Sequence, residues 1–243
     1  MTQKRSVSLF ALTGMPGAGK TVLIEQFLRK HEELRLCMSC TTGKIHEEKS
    51  QFYVEPSVFA QMLRHNEFIE YSHNAAGEYR GTPYDEVASV TQKGLIPLLD
   101  ISIDGLAQLM KNHKIEPSLI VSAFIMPPDA RTLKERLMKR HRESYDGIIL
   151  RLKAAFHELD LSCLCTGIVI NDTPQNALDM MDYLYTVPHA QLSVNTDKFR
   201  QQLRQIIDDM ENCASPASQT ERSLYEQSGS GFFSKEPVYG TDD

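Results

Sequence analysis

The chain contains no tryptophan, and aromatic residues make up only 8% of it. No apolar run approaches the roughly 20 residues that a membrane-spanning helix needs. Residues Met1–Ser6 lack the apolar stretch that follows the basic residues of a signal peptide. A cytoplasmic protein without a membrane partner is expected. Positive charge is not in excess, since 26 Lys and Arg against 32 Asp and Glu leave a net charge of −6, which argues against nucleic acid as a main partner. Five cysteines, an odd number, do not make a disulfide framework. Cys37-x-x-Cys40 and Cys163-x-Cys165 could suggest a thiolate zinc site, but Leu34–Cys40 reads as one strand, where a spacing of three puts side chains on opposite faces. Buried, inert thiols are expected instead. The 243 residues, 41% hydrophobic and 24% charged, suffice for one α/β core with an appendage.

Residues 14–21, Gly14-Met15-Pro16-Gly17-Ala18-Gly19-Lys20-Thr21, fit G-x-x-x-x-G-K-[ST] without a mismatch. An apolar strand-like segment, Val7–Thr13, precedes them. A helical repeat with apolar Val22, Leu23 and Phe27 follows. Strand, glycine loop and helix start together form a phosphate cradle, with backbone N–H groups turned inward and the positive end of the helix dipole behind them. In such a cradle Gly14, Gly17, Ala18 and Gly19 wrap the phosphates of ATP, Lys20 reaches the β- and γ-phosphates, and the Thr21 hydroxyl takes a place on Mg²⁺.

Strand-like runs alternate with helix-like ones, the pattern of a parallel sheet covered on both faces. The expected strands are Val7–Thr13, Leu34–Cys40, Leu95–Ile101, Leu119–Met126 and Ile168–Asn171. Helices are expected at Thr21–His31, Ser57–Asn66 with Ser57 as cap, Pro83–Lys93, Asp104–His113, Asp129–His141 with Asp129 as cap, Gly147–Leu161 and Pro174–Tyr185. Pro97 sits inside an expected strand, so either a bulge absorbs it or the ladder begins after it. Phe199, Leu203, Ile206, Ile207 and Met210 form one apolar stripe within a helix at Asn195–Asn212, which can fold back on the core or form a partner or dimer contact. Residues 213–243, rich in serine, glycine, glutamine and acidic side chains, are expected to be disordered, with a sticky patch at Phe232-Phe233.

Several further segments, in order along residues 7–186, resemble the guanylate kinase family: Thr41-Thr42, Glu67-Phe68-Ile69-Glu70, Gly77–Thr82, Leu98-Leu99-Asp100, Lys134–Leu137 with Arg140 and Arg142, Arg151–Ala155, and Val169–Asp172. The resemblance implies a three-layer α/β P-loop kinase over residues 1–188, with a central parallel sheet, an acceptor-binding insertion near 41–82 and a short lid near 139–148. Residues 189–243 would be a C-terminal extension. It implies phosphoryl transfer from Mg·ATP to a nucleoside monophosphate, GMP or dGMP above others. Ser39, Glu70 and Thr82 would read guanine, whose N1–H and N2 amine a carboxylate can accept together. Arg140, Arg151 and Arg142 would close over the transferring group. Asp100 would orient the metal's water shell or the acceptor, and Asn171 would lie near the adenine side.

The departures from that pattern fall on the acceptor phosphate. Gly43-Lys44-Ile45-His46 replaces a segment that brings two arginines, Gln51 and Arg80 stand at two tyrosine positions, and Ser102 stands at an aspartate. Lys44, His46, Lys49 and Arg80 could rebuild the cationic grip. Otherwise the acceptor is another phosphorylated compound of the ribose 1,5-bisphosphate type, or the chain is a weakly catalytic binding or regulatory module.

Overall fold

In the computed structural model, residues 7–43, 50–73, 77–112, 115–140, 144–187, 190–212 and 216–229 are described. Along the chain come β1 (Leu9–Gly14), α1 (Lys20–Lys30), β2 (Leu34–Leu36), β3 (Ser39–Thr41), β4 (Gln51–Tyr53), α2 (Pro56–Arg64), β5 (Phe68–His73), β6 (Tyr79–Pro83) and α3 (Tyr84–Gln92). There follow β7 (Ile96–Asp100), α4 (Ile103–Met110), β8 (Ile120–Met126), α5 (Ala130–Lys139), α6 (Tyr145–Leu161), β9 (Gly167–Ile170), α7 (Pro174–Thr186), α8 (Asp197–Asn212) and α9 (Pro216–Gly229).

The core is a parallel five-stranded sheet in the order β2-β7-β1-β8-β9. All seven residues of β8 are buried, as expected of a parallel strand covered on both faces. On one face Phe10 of β1 packs against Phe27 of α1 and Tyr185 of α7, with ring centroids 5.3 and 5.5 Å apart. Helix α4 packs on β1, and α6 packs on α4. This is the three-layer α/β P-loop kinase architecture, and it places the carboxyl ends of β1 and β7 side by side at the phosphate loop, where open α/β sheets bind ligands.

A second, mixed sheet in the order β4-β3-β6-β5 spans Ser39–Pro83. It leans on α4: Gln108 donates to the Tyr71 carbonyl at 2.6 Å and accepts from the Tyr71 N–H at 3.0 Å, so one side chain continues the edge of β5. Among the described residues no helix is long and apolar enough to cross a membrane.

Several expectations are corrected. Leu34–Cys40 is two strands in two sheets. The Cys37 N–H still donates to Leu98 in the core, while the Ser39 N–H donates to Ser50 in the insertion, so the chain crosses between sheets at Cys37-Met38. Both cysteines are buried, and burial pushes their thiols up to about 12 and about 11. Ser57 does not cap its helix; Pro56 opens α2 after Glu55, because its fixed φ and missing N–H suit a first helical turn. Asp129 does cap α5, accepting from the Thr132 N–H at 2.7 Å. Pro97 lies in β7, and the ladder to β1 begins one residue later, at Leu98, so no β1 bond is lost.

Within the stretch expected to be disordered, residues 216–229 form α9. Tyr225 is buried against Tyr145, and the Arg222 guanidinium lies 5.3 Å over the Tyr145 ring and 3.2 Å from Asp146. Local composition misses this because the stabilising ring is contributed by α6. The α8 stripe folds back on α5 and α6, with Phe199, Leu203, Ile207 and Met210 buried. Phe232-Phe233 lies outside the described residues.

Candidate active site

The phosphate loop turns on Gly14, Gly17 and Gly19, whose φ angles of 136°, 86° and 91° lie in the region that disfavours side chains. A Cβ at Gly14 would stand 2.1 Å from the Ile125 carbonyl oxygen, and one at Gly19 would stand 2.5 Å from Asn171 Nδ2. Only glycine fits either place.

Asn171 is buried behind the loop and donates from Nδ2 to the Ala18 carbonyl at 2.7 Å. Arg136 reaches the same carbonyl at 3.4 Å and the Asn171 carbonyl at 3.2 Å. A trans peptide points its C=O and the next N–H in opposite directions, so pulling the Ala18 oxygen back presents the Gly19 N–H outward. Asn171 therefore acts on the loop from behind, and the cap of α7 falls to Thr173. Arg136, which sequence reasoning left outside the site, belongs to the same brace.

Lys20 folds its ammonium onto the Gly14 and Met15 carbonyls at 2.6 and 3.3 Å. Burial holds its pKa below the ordinary lysine value, and the neighbouring Arg80 and Arg140 charges act the same way, while Asp100 and Glu158 oppose. Thr21 follows on the exposed first turn of α1. Asp100 ends β7 beside this lysine.

Glu158 is a member that sequence reasoning missed. Its Oε2 is buried without a hydrogen-bond partner among the described residues. Burial pushes its carboxyl up to about 7 against the opposing pull of Lys20 and Arg151. The signal was present in its spacing: seven residues from Arg151, two helical turns along one face of α6. Arg140 is the C-cap of α5 and Arg151 lies on the exposed side of α6. The connection that would form the lid is thus confined to 140–144, and Arg142 lies outside the described residues, as do Lys44, His46 and Lys49.

Ser39, Glu70 and Thr82 are all buried. The Thr82 hydroxyl donates to Glu70 Oε1 at 2.7 Å. The other carboxylate oxygen lies against Gly105, where a Cβ would approach to 2.4 Å. Gly105 stands in the first turn of α4, capped by Ser102, whose hydroxyl accepts its N–H at 3.0 Å. Ser102 thus has a structural task at a position where the resemblance has an aspartate. Burial raises the Glu70 pKa, and the Thr82 bond and the Arg80 charge oppose the rise. Arg80, from β6, donates to Ser39 Oγ at 3.0 Å and to the Asp100 carbonyl at 2.8 Å. Ser39 of the insertion and Asp100 of the core are thereby joined by one guanidinium.

A phosphate loop facing a buried carboxylate across two sheets agrees with what the chain matches as a whole. The guanylate kinase family model matches residues 6–185. The chain belongs to the guanylate kinase family. A guanylate kinase of Thermotoga maritima is 30% identical over 194 residues, covering 78% of this chain and 91% of that protein. One of Neisseria gonorrhoeae is 31% identical over 216 residues, covering 87% of this chain and all of that protein. The crystal structure of guanylate kinase from Anaplasma phagocytophilum shares the fold, with a TM-score of 0.58 at 22% identity over 75% of this chain and 87% of that one. The general activity of this guanylate-kinase-like site is phosphoryl transfer. Helices α8 and α9 lie beyond the matched residues.

Proposed function

We propose that the chain transfers the γ-phosphoryl group of ATP to a guanine nucleoside monophosphate, GMP or dGMP, giving the diphosphate and ADP. The observation that carries this reading is Glu70: a buried carboxylate, oriented by Thr82 and seated on Gly105, whose acceptor oxygens suit the paired N–H donors of guanine. A phosphomonoester has its second pKa near 6, so its oxygen is already anionic around neutrality. No general base is required; the protein must align two anions and supply positive charge.

Gly14, Gly17, Ala18 and Gly19 would wrap the donor phosphates, with Lys20 released from its loop carbonyls onto them. The Thr21 hydroxyl and the Asp100 carboxylate are hard oxygen donors suited to Mg²⁺. When bound, that ion would offset the negative charge of the donor phosphates. Arg140 and Arg151 would close over the transferring group and exclude water, which suppresses hydrolysis of ATP. Asn171 serves ATP indirectly, by presenting the loop.

The test is coupled ADP release with Mg·ATP against GMP, dGMP, AMP, UMP and ribose 1,5-bisphosphate, with Lys20→Ala as the blank. Turnover confined to guanine nucleotides and lost in the blank is expected. Turnover on ribose 1,5-bisphosphate alone, or on nothing while ATP still binds, would overturn the reading.

A further inference from the structure

Arg80 bridges the two sheets, and its hydrogen bonds divide its guanidinium into two edges. Both N–H groups of Nη2 point to Asp100, at 2.8 Å to the carbonyl and a loose 3.4 Å to Oδ2. The opposite edge is held by the insertion sheet. Nε donates to Ser39 Oγ at 3.0 Å, and the Gln51 amide oxygen accepts from Nε and Nη1, each at 3.1 Å. The Gln51 amide is assigned with its oxygen rather than its nitrogen toward the guanidinium, because the nitrogen would face only donors there. Ser39 and Gln51 are register partners on adjacent parallel strands, so both reach Arg80 from one face. Of the five N–H donors of an arginine, one on Nη1 has no partner among the described residues.

This arrangement is unusual for an arginine beside an aspartate. Such pairs favour a fork of two parallel bonds to the carboxylate, which neutralises the cation. Here Asp100 receives one edge only, and its carboxylate is the more distant of its two acceptors. The force opposing the fork comes from Gln51 and Ser39, two neutral acceptors that fix the guanidinium without cancelling its charge. That charge acts on Lys20 at the phosphate loop and on Glu70 at the base site. Arg80 stands on the strand paired with that of Glu70 and reaches Asp100 at the end of β7, so it joins the base site to the strand end beside the phosphate loop.

We infer that Gln51 is a positioning residue for the acceptor: it holds the Nε–Nη1 edge of Arg80, stops the guanidinium from closing on Asp100, and keeps the charge and one N–H available to the acceptor's phosphate. The inference rests on the acceptor reading proposed above. It makes Gln51 and Arg80 one unit, in which a neutral side chain matters through its charged neighbour.

Four variants of the full chain test it: Gln51→Leu, which removes the oxygen; Gln51→Glu, which keeps the oxygen and adds a negative charge; Arg80→Ala; and Gln51→Leu combined with Arg80→Ala. GMP and ATP binding are measured by calorimetry, acceptor and donor KM by coupled assay, and the Arg80 Nε–H by nitrogen-15 NMR. Gln51→Leu is expected to weaken GMP binding about tenfold, the loss of one charge-assisted contact, to leave ATP binding unchanged, and to move the Nε–H signal. Gln51→Glu should keep that signal in its hydrogen-bonded position while still weakening GMP. The double variant should bind GMP no worse than Arg80→Ala alone. Wild-type GMP affinity in Gln51→Leu, or losses that multiply in the double variant, would overturn the role given to Gln51. A wild-type chain that binds no monophosphate would overturn the acceptor reading itself, a result separate from a silent Gln51→Leu in a competent wild type.

Discussion

Asn171 Nδ2 lies 2.7 Å from the Ala18 carbonyl oxygen and 2.5 Å from the point where a side chain on Gly19 would begin. One amide thus shapes the phosphate loop twice, by holding one peptide and by filling the space beside the next. Asn171→Ala frees the Ala18 carbonyl and the Gly19 N–H turns with it. The expected result is an ATP affinity about tenfold weaker and a stability loss of about 1–2 kcal/mol. Gly19→Ala combines a strained φ with a clash and should lose more of both. Calorimetric ATP titration and thermal unfolding check the pair; unchanged ATP binding in Asn171→Ala would remove the brace.

Lys20 lies against its own loop in the free protein, so its removal leaves the backbone cradle without its mobile charge. Lys20→Ala should lower turnover by about a thousandfold or more while the chain keeps its melting temperature to within a few degrees. Steady-state ADP release and scanning calorimetry read the two effects separately. Substantial turnover in this variant would place the donor elsewhere.

Glu158 supplies a pH dependence of stability. Burial raises its folded-state pKa from the ordinary 4.5 to about 7, so the folded chain binds this proton more tightly than the unfolded one. The contribution is complete below about pH 4.5 and is lost as pH rises through 7. Glu158→Gln, neutral throughout, should match the wild type near pH 4.5 and exceed it at pH 8 by up to about 3 kcal/mol. Denaturant unfolding at both pH values decides; a difference independent of pH would mean that Glu158 ionises as an exposed carboxylate does.

Glu70→Gln exchanges one acceptor oxygen for an N–H₂ group that faces the N–H donors of guanine. GMP affinity should fall roughly 10- to 100-fold, and the preference for GMP over AMP should narrow by the same factor. Competition binding with both nucleotides measures it. An equal loss for GMP and AMP would assign Glu70 to the fold of the insertion rather than to the base.

Leu203 of α8 is fully buried against the core. Leu203→Ala should destabilise the chain by about 2–4 kcal/mol, as a core substitution does, although the residue lies beyond the family-matched region. Urea unfolding gives the value; a loss under 1 kcal/mol would make α8 an accessory to the core.

The phosphate loop was legible because its parts are contiguous: strand, glycines, lysine and helix start all fall within about 25 residues. The insertion sheet was harder to read. Three of its four strands are only three or five residues long, and β2 and β3 join without a turn residue between them. The sequence marks Gln51 only as a departure at a tyrosine position, and Glu158 only by its spacing from Arg151. The role of each comes from a side chain far along the chain, Arg80 for the first and Lys20 for the second.

The sequence by itself determined the class of fold, the loop that grips a triphosphate, the family, and the alternation of strands and helices in the core sheet, because each depends on periodicity or on residues close in the chain. It also placed Glu70, Arg80 and Asp100 as candidates without relating them. Only the tertiary structure decided that Arg80 is held between Gln51, Ser39 and Asp100, that Asn171 works from behind the loop, and that α9 folds onto Tyr145. Hydrogen bonds and burial act over a few ångströms of space, whatever the separation along the chain, and a linear pattern does not contain those distances.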